Sequence, residues 1–99
     1  MGKPKYYWYG SVKKMIMHSS NVKKDESLQA YIFKKAIEEA TRETLKLPNG
    51  KKRMQAVNEI LIKQTKTYDG VASELNYEQR TIQSWITSFV NLVGKKAGY

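Results

Sequence analysis

Ninety-nine residues is the length of one domain, and a chain this short can bury only one modest core. It has no cysteine and one histidine, His18. That excludes disulfides, thiolate metal sites and a cysteine nucleophile, and leaves any His-based metal site to be completed by carboxylates or a second chain. The formal net charge of +9 points to a polyanionic partner, nucleic acid first and an anionic membrane surface second.

Both halves of the chain are basic, so the charge lies over folded structure rather than in a detached tail. No apolar stretch approaches the roughly 20 residues of a membrane span. The N-terminal residues carry lysine and clustered aromatics without the continuous apolar run of a secretory leader. The expectation is a soluble cytoplasmic protein with no membrane contact. A Gly-rich phosphate loop, a histidine–carboxylate constellation and metal-ligand spacing are all missing, so no enzyme activity, cofactor or metal is expected.

Taken in chain order, the apolar residues repeat with helical spacing. Trp8, Val12, Met15 and Ile16 fall on one face of a first helix. The polar run His18-Ser19-Ser20-Asn21 breaks it, with His18 a surface or helix C-terminal residue. A second helix, with Asp25 as its N-cap, carries Leu28, Ile32, Phe33, Ala36, Ile37 and Ala40 as a broad apolar stripe. Lys34 with Glu38, Lys35 with Glu39, and Glu38 with Arg42 are i, i+4 pairs on its opposite face. Leu47-Pro48-Asn49-Gly50 is a strong break, because proline restricts the residue before it and Asn-Gly favours a turn. A third helix, about Lys51 to Lys63, puts Met54, Val57 and Leu61 together, with Asn49 as its cap. Two closely spaced helices follow, about Tyr68 to Leu75 and about Gln79 to Val93; the second directs Ile82, Trp85, Ile86, Phe89 and Val93 inward. No stretch alternates with period 2. The expected fold is all-α, about five helices in one domain over residues 1–99, with a helical hairpin over 1–47 and a DNA-binding part over 50–99.

The last two helices read as a helix-turn-helix spanning Tyr68 to Trp85. Two helices that cross closely need a small residue at the crossing, and Ala72 supplies it. The turn needs a residue that tolerates left-handed dihedrals, and Asn76 does. Val71, Leu75, Tyr77, Ile82 and Trp85 provide apolar positions around it, and Thr67 is a good N-cap. In this register the second helix enters the major groove of double-stranded DNA by its N-terminal residues. Gln79, Arg80, Gln83 and Ser84 are the candidate base readers, since arginine can bridge guanine O6 and N7 and glutamine adenine N6 and N7. Glu78 accepts from a cytosine amino group or stabilises the positive helix N-terminus. Lys51, Lys52, Arg53, Lys63, Lys66, Thr67, Tyr68, Lys95 and Lys96 flank the motif and are the candidate phosphate contacts.

Four stretches then look familiar: Leu47-Pro48-Asn49-Gly50, Gly70-Val71-Ala72-Ser73-Glu74-Leu75, Arg80-Thr81-Ile82-Gln83-Ser84-Trp85, and the ending Phe89-Val90-Asn91-Leu92-Val93-Gly94-Lys95-Lys96-Ala97-Gly98-Tyr99. Together they resemble the RinA/ArpU-type regulators of bacteriophages of Gram-positive bacteria. The run Tyr7-Trp8-Tyr9-Gly10-Ser11-Val12-Lys13-Lys14-Met15-Ile16 is similar to one small branch of them. The resemblance covers nearly the whole chain and is best in its last third. It implies activation of phage late and packaging genes in the bacterial host cytoplasm, through a module similar to domain 4 of sigma factors, with Gln79, Arg80, Gln83 and Ser84 at the reading positions. The chain departs from the usual pattern at Gly70, inside a helix, and at Glu78, where a small N-cap is common.

Useful specificity needs two half-sites or a second bound protein, so a homodimer or RNA polymerase are further expected partners. Tyr6, Tyr7, Trp8 and Tyr9 either pack on the core or form the face for such a partner. The DNA-recognition piece of a small terminase subunit and a polymerase-binding sigma-like adaptor are two alternatives that fit the same charge and fold.

Overall fold

Helical periodicity in every segment, with no period-2 run, gives an all-helical chain. The computed structural model describes residues 7–19 and 28–99. Among them are five helices and no strand: α1 (Tyr9–Ser19), α2 (Leu28–Leu45), α3 (Gly50–Val57), α4 (Tyr68–Leu75) and α5 (Gln79–Lys96). Helix α3 runs on into a wider π-helical turn over Asn58–Ile62. None of these helices is long and apolar enough to cross a membrane.

Most of the expected apolar positions are buried; Met15, Ile37 and Met54 are half-buried, and the Leu28 side chain lies outside the described ones. Val12 and Ile16 of α1, Phe33, Ala36 and Ala40 of α2, Val57 and Leu61 of the third helical segment, and Ile82, Trp85, Ile86, Phe89 and Val93 of α5 join one core. Helix α5 is at its centre, with contacts to all four other helices. Helices α1 and α2 also touch each other, though each lies more extensively on α5.

Several local expectations change. Ile32 does not join the α2 stripe and is 39% exposed, beside exposed Tyr31; the core continues instead through Thr44, at 4%. The three i, i+4 pairs of α2 do not close, and Glu43 pairs with Lys96 of α5 instead. A fully solvated pair gains too little to fix two long side chains, whereas the α2–α5 contact already holds Glu43 and Lys96 near each other. Asn49 precedes α3 but does not cap it. Its backbone is left-handed (φ 61°) and its side chain makes no capping bond. The turn needs Gly50 for a different reason: a Cβ there would lie 2.5 Å from the Leu45 carbonyl oxygen and 2.7 Å from that of Thr44. His18 and Ser19 belong to the last turn of α1, so His18 is a helix C-terminal residue and the helix extends into the polar run. Asp25, the expected cap of α2, lies outside the described residues, as does Tyr6.

The π-helical turn is new. The Lys63 N–H donates to Asn58 O at 2.7 Å, and the N–H groups of Thr65 and Lys66 both reach Glu59 O. Gln64 then turns left-handed (φ 55°). Its side-chain amide donates to Met17 O at 2.8 Å, supplying a partner for a carbonyl in the last turns of α1.

Trp8 answers the question of the aromatic cluster: it is a core residue, while Tyr7 is 99% exposed and Tyr9 half-buried. The Trp8 indole lies against α5 at Gly94, where a Cβ would overlap the ring, and the Tyr99 ring is centred 5.7 Å from it. Gly94→Ala is therefore expected to destabilise the fold by about 1–3 kcal/mol in urea titration, as overpacking does. Trp8→Leu in the same background should recover part of that loss, because the two sites share one contact.

Candidate nucleic-acid interface

The α4–α5 unit is built by local rules. Thr67, extended at φ −91°, ψ 170°, accepts the Gly70 N–H at 3.1 Å through its hydroxyl and starts α4. Nothing crowds Gly70: a Cβ would make ordinary contact, 3.4 Å, with that hydroxyl. Asn76 ends α4 in the left-handed region at φ 63°. The Ala72 carbonyl accepts the N–H groups of both Asn76 and Tyr77, which closes the helix end. Ala72 itself is buried, 4% exposed, as a close helix crossing requires. Glu78 opens α5 in extended conformation, and its side chain makes no capping bond.

Helix α5 then divides cleanly. Ile82, Trp85, Ile86, Phe89 and Val90 face the core. Gln79, Arg80 and Ser84 are exposed and Gln83 is half-buried, and none has a hydrogen-bond or ion-pair partner among the described residues. The four predicted readers thus lie together on the first two turns of one helix.

The nine predicted phosphate contacts do not behave alike. Lys66 forms ion pairs with Glu59, at 3.1 Å, and with Glu74. These hydrogen bonds, the one to Glu74 first, hold its ammonium above the usual lysine range. Glu74 also accepts from Gln55 at 3.2 Å, so Lys66 fastens α4 to the preceding segment. Lys96 is held up in the same way by Glu43. Arg53 is half-buried: its Nε donates to Pro48 O at 3.1 Å, and its guanidinium lies 5.6 Å from the centre of the Trp85 ring. Lys52 reaches the Tyr77 hydroxyl at 3.5 Å and lies 5.3 Å from its ring centre. Tyr77 meets Trp85 edge to face at 4.9 Å. The start of α3 is thereby set beside the α4–α5 turn, with Lys51 exposed next to it. Lys63, Lys95 and Thr67 are exposed and Tyr68 is half-buried.

One neighbour was missed. Helix α1 lies along the edge of the unit: the hydroxyls of Tyr9 and Thr87 are 3.5 Å apart, and Lys13 Nζ donates to the Tyr68 hydroxyl at 3.0 Å. Lys13 follows the buried Val12 by one position, which places it at the margin of the apolar stripe. Periodicity identifies that margin but not the helix it meets.

No protein-family model matches the chain, and no curated protein or solved structure matches it significantly.

The Arg53 contacts generate a stability prediction. Arg53→Ala should destabilise by about 1–2 kcal/mol and change Trp85 fluorescence, because a cation–π contact and a carbonyl bond are lost together. Arg53→Lys should restore little of either, since an ammonium lacks the planar fork that reaches both partners.

Proposed function

We propose that the chain is a sequence-specific duplex-DNA-binding transcription regulator, in which α4 and α5 act as a helix-turn-helix and α5 reads the major groove. The reading rests on one observation above all. The first turns of α5 present the side chains of Gln79, Arg80, Gln83 and Ser84 without partners among the described residues, on a helix whose other side is anchored in the core. An exposed arginine and two glutamines on an immobilised helix are suited to the donor and acceptor pattern of base edges. The net charge of +9 supplies the attraction to phosphate that such a helix needs to dock.

The resemblance to the RinA/ArpU-type phage regulators supports the same reading and makes it more specific: an activator of late or packaging genes, acting in a bacterial cytoplasm beside RNA polymerase. A single unit of this size reads only a few base pairs, so a second copy or a second DNA-bound protein completes the site.

Selection of bound sequences from a random duplex pool tests the proposal; recovery of no enriched motif overturns it. On the enriched motif, Arg80→Ala is expected to lose about 1–3 kcal/mol and to relax preference at one position. Unchanged preference would remove Arg80 from the reading set. The charge pairing adds a second expectation. Lys63→Ala should weaken all duplexes alike and lower the slope of log K against log salt by about 0.9. Lys66→Ala should leave that slope near its wild-type value, because its charge is already matched by Glu59 and Glu74.

A further inference from the structure

Among the described residues, helix α1 touches both helices of the α4–α5 unit. Its contacts fall in sequence along one helix edge. Trp8 covers Gly94, Tyr9 meets Thr87, Lys13 meets Tyr68, and Met17 O receives Gln64. Thr87 is one turn beyond Gln83 on α5, so Tyr9 borders the row that carries a proposed reader. Tyr68 opens α4, next to Thr67. Lys13, one turn along α1 from Tyr9, is therefore held at the start of α4 while Tyr9 meets α5.

Its chemistry differs from that of its basic neighbours. Lys66 and Lys96 are matched by carboxylates. Among the described residues Lys13 has a neutral partner, the Tyr68 hydroxyl at 3.0 Å, with the ring centre 5.6 Å away. No carboxylate among the described residues offsets the ammonium, which has two further N–H donors. The hydroxyl, which accepts from Lys13, still has its own proton to donate. Exposed Lys14 follows one position on, and exposed Gly10 has open space around it.

We infer that Lys13 and Tyr68 form a two-residue phosphate clamp that grips the DNA backbone beside the reading helix, making α1 a third element of the interface. Tyr68 fixes the ammonium over the start of α4, and both groups then donate to one phosphate. The inference rests on the DNA-binding reading above and adds to it a contact supplied from the N-terminal half of the chain. Such a contact positions the protein without reading sequence.

The test is fluorescence anisotropy of the full chain on a labelled mixed-sequence duplex, titrated between about 50 and 200 mM salt. Lys13→Ala is expected to weaken binding several-fold and to lower the salt slope by about 0.9, while Lys13→Arg retains the slope. Tyr68→Phe keeps the ring under Lys13 but removes the hydroxyl, and is expected to weaken binding without the full change of slope. If Lys13→Ala lowers the melting temperature, Lys13→Gln compared with Lys13→Arg, both well below their melts, gives the same readout. Wild-type affinity and slope in the lysine-removing variants, with wild type binding normally, would overturn the clamp alone. Failure of the wild-type chain to bind any duplex would overturn the DNA-binding reading and the clamp with it.

Discussion

Helix α5 carries an apolar face from Ile82 to Gly94 that must be hidden from water, and the four other helices each cover part of it. Among the described residues, no other helix packs extensively on all four of the rest. Because the inner side is enclosed along its length, the orientation of α5 about its own axis is fixed. Its exposed residues, Gln79, Arg80 and Ser84 among them, therefore point where packing leaves them rather than where their own chemistry would lead. A rigidly presented polar face follows directly from a fully committed apolar one.

That constraint passes outward through specific contacts. Gly94 lets the Trp8 ring lie against α5, and this sets α1 beside Thr87 and Tyr68. Trp85, buried on the same helix, is the surface on which Tyr77 and Arg53 gather, and this sets the start of α3 beside the α4–α5 turn. The open end of α5 is thus flanked by two cationic edges, Lys13 on one and Lys51 with Lys52 on another. Both are positioned by aromatic packing rather than by salt bridges. Aromatic contacts hold a lysine without cancelling its charge, which leaves the charge available to a polyanion.

Much of the architecture was legible in the residues. Each helix is visible in the 3.6-residue spacing of its apolar positions, and the α4–α5 unit in three local choices: Thr67 to start, Ala72 to permit the crossing, Asn76 to turn. These succeed because capping, small-residue crossings and left-handed turns are short-range requirements that a few adjacent residues satisfy or fail. The misses are equally physical. The π-helical turn at Asn58–Ile62 has no distinct residue signature, since it depends on what Glu59 O and Gln64 bond to further along the chain. Ile32 matched the α2 stripe by spacing, but the stripe turned toward Thr44 once α5 chose which side of α2 to meet.

The basic residues mark the boundary between the two kinds of knowledge. The sequence by itself determined that the chain is helical and strongly cationic, where the turns before α3 and between α4 and α5 fall, and that Gln79, Arg80, Gln83 and Ser84 lie on the opening turns of one helix. Composition and local backbone preference are sufficient for that. Only the tertiary structure decided which cations keep their charge. Lys66 finds Glu59 and Glu74, and Lys96 finds Glu43 more than fifty positions away, whereas among the described residues Lys13 finds the hydroxyl and ring of Tyr68. Pairing of that kind depends on which helices are brought within a few ångströms of one another, and that proximity is created by burying α5, not by any spacing along the chain.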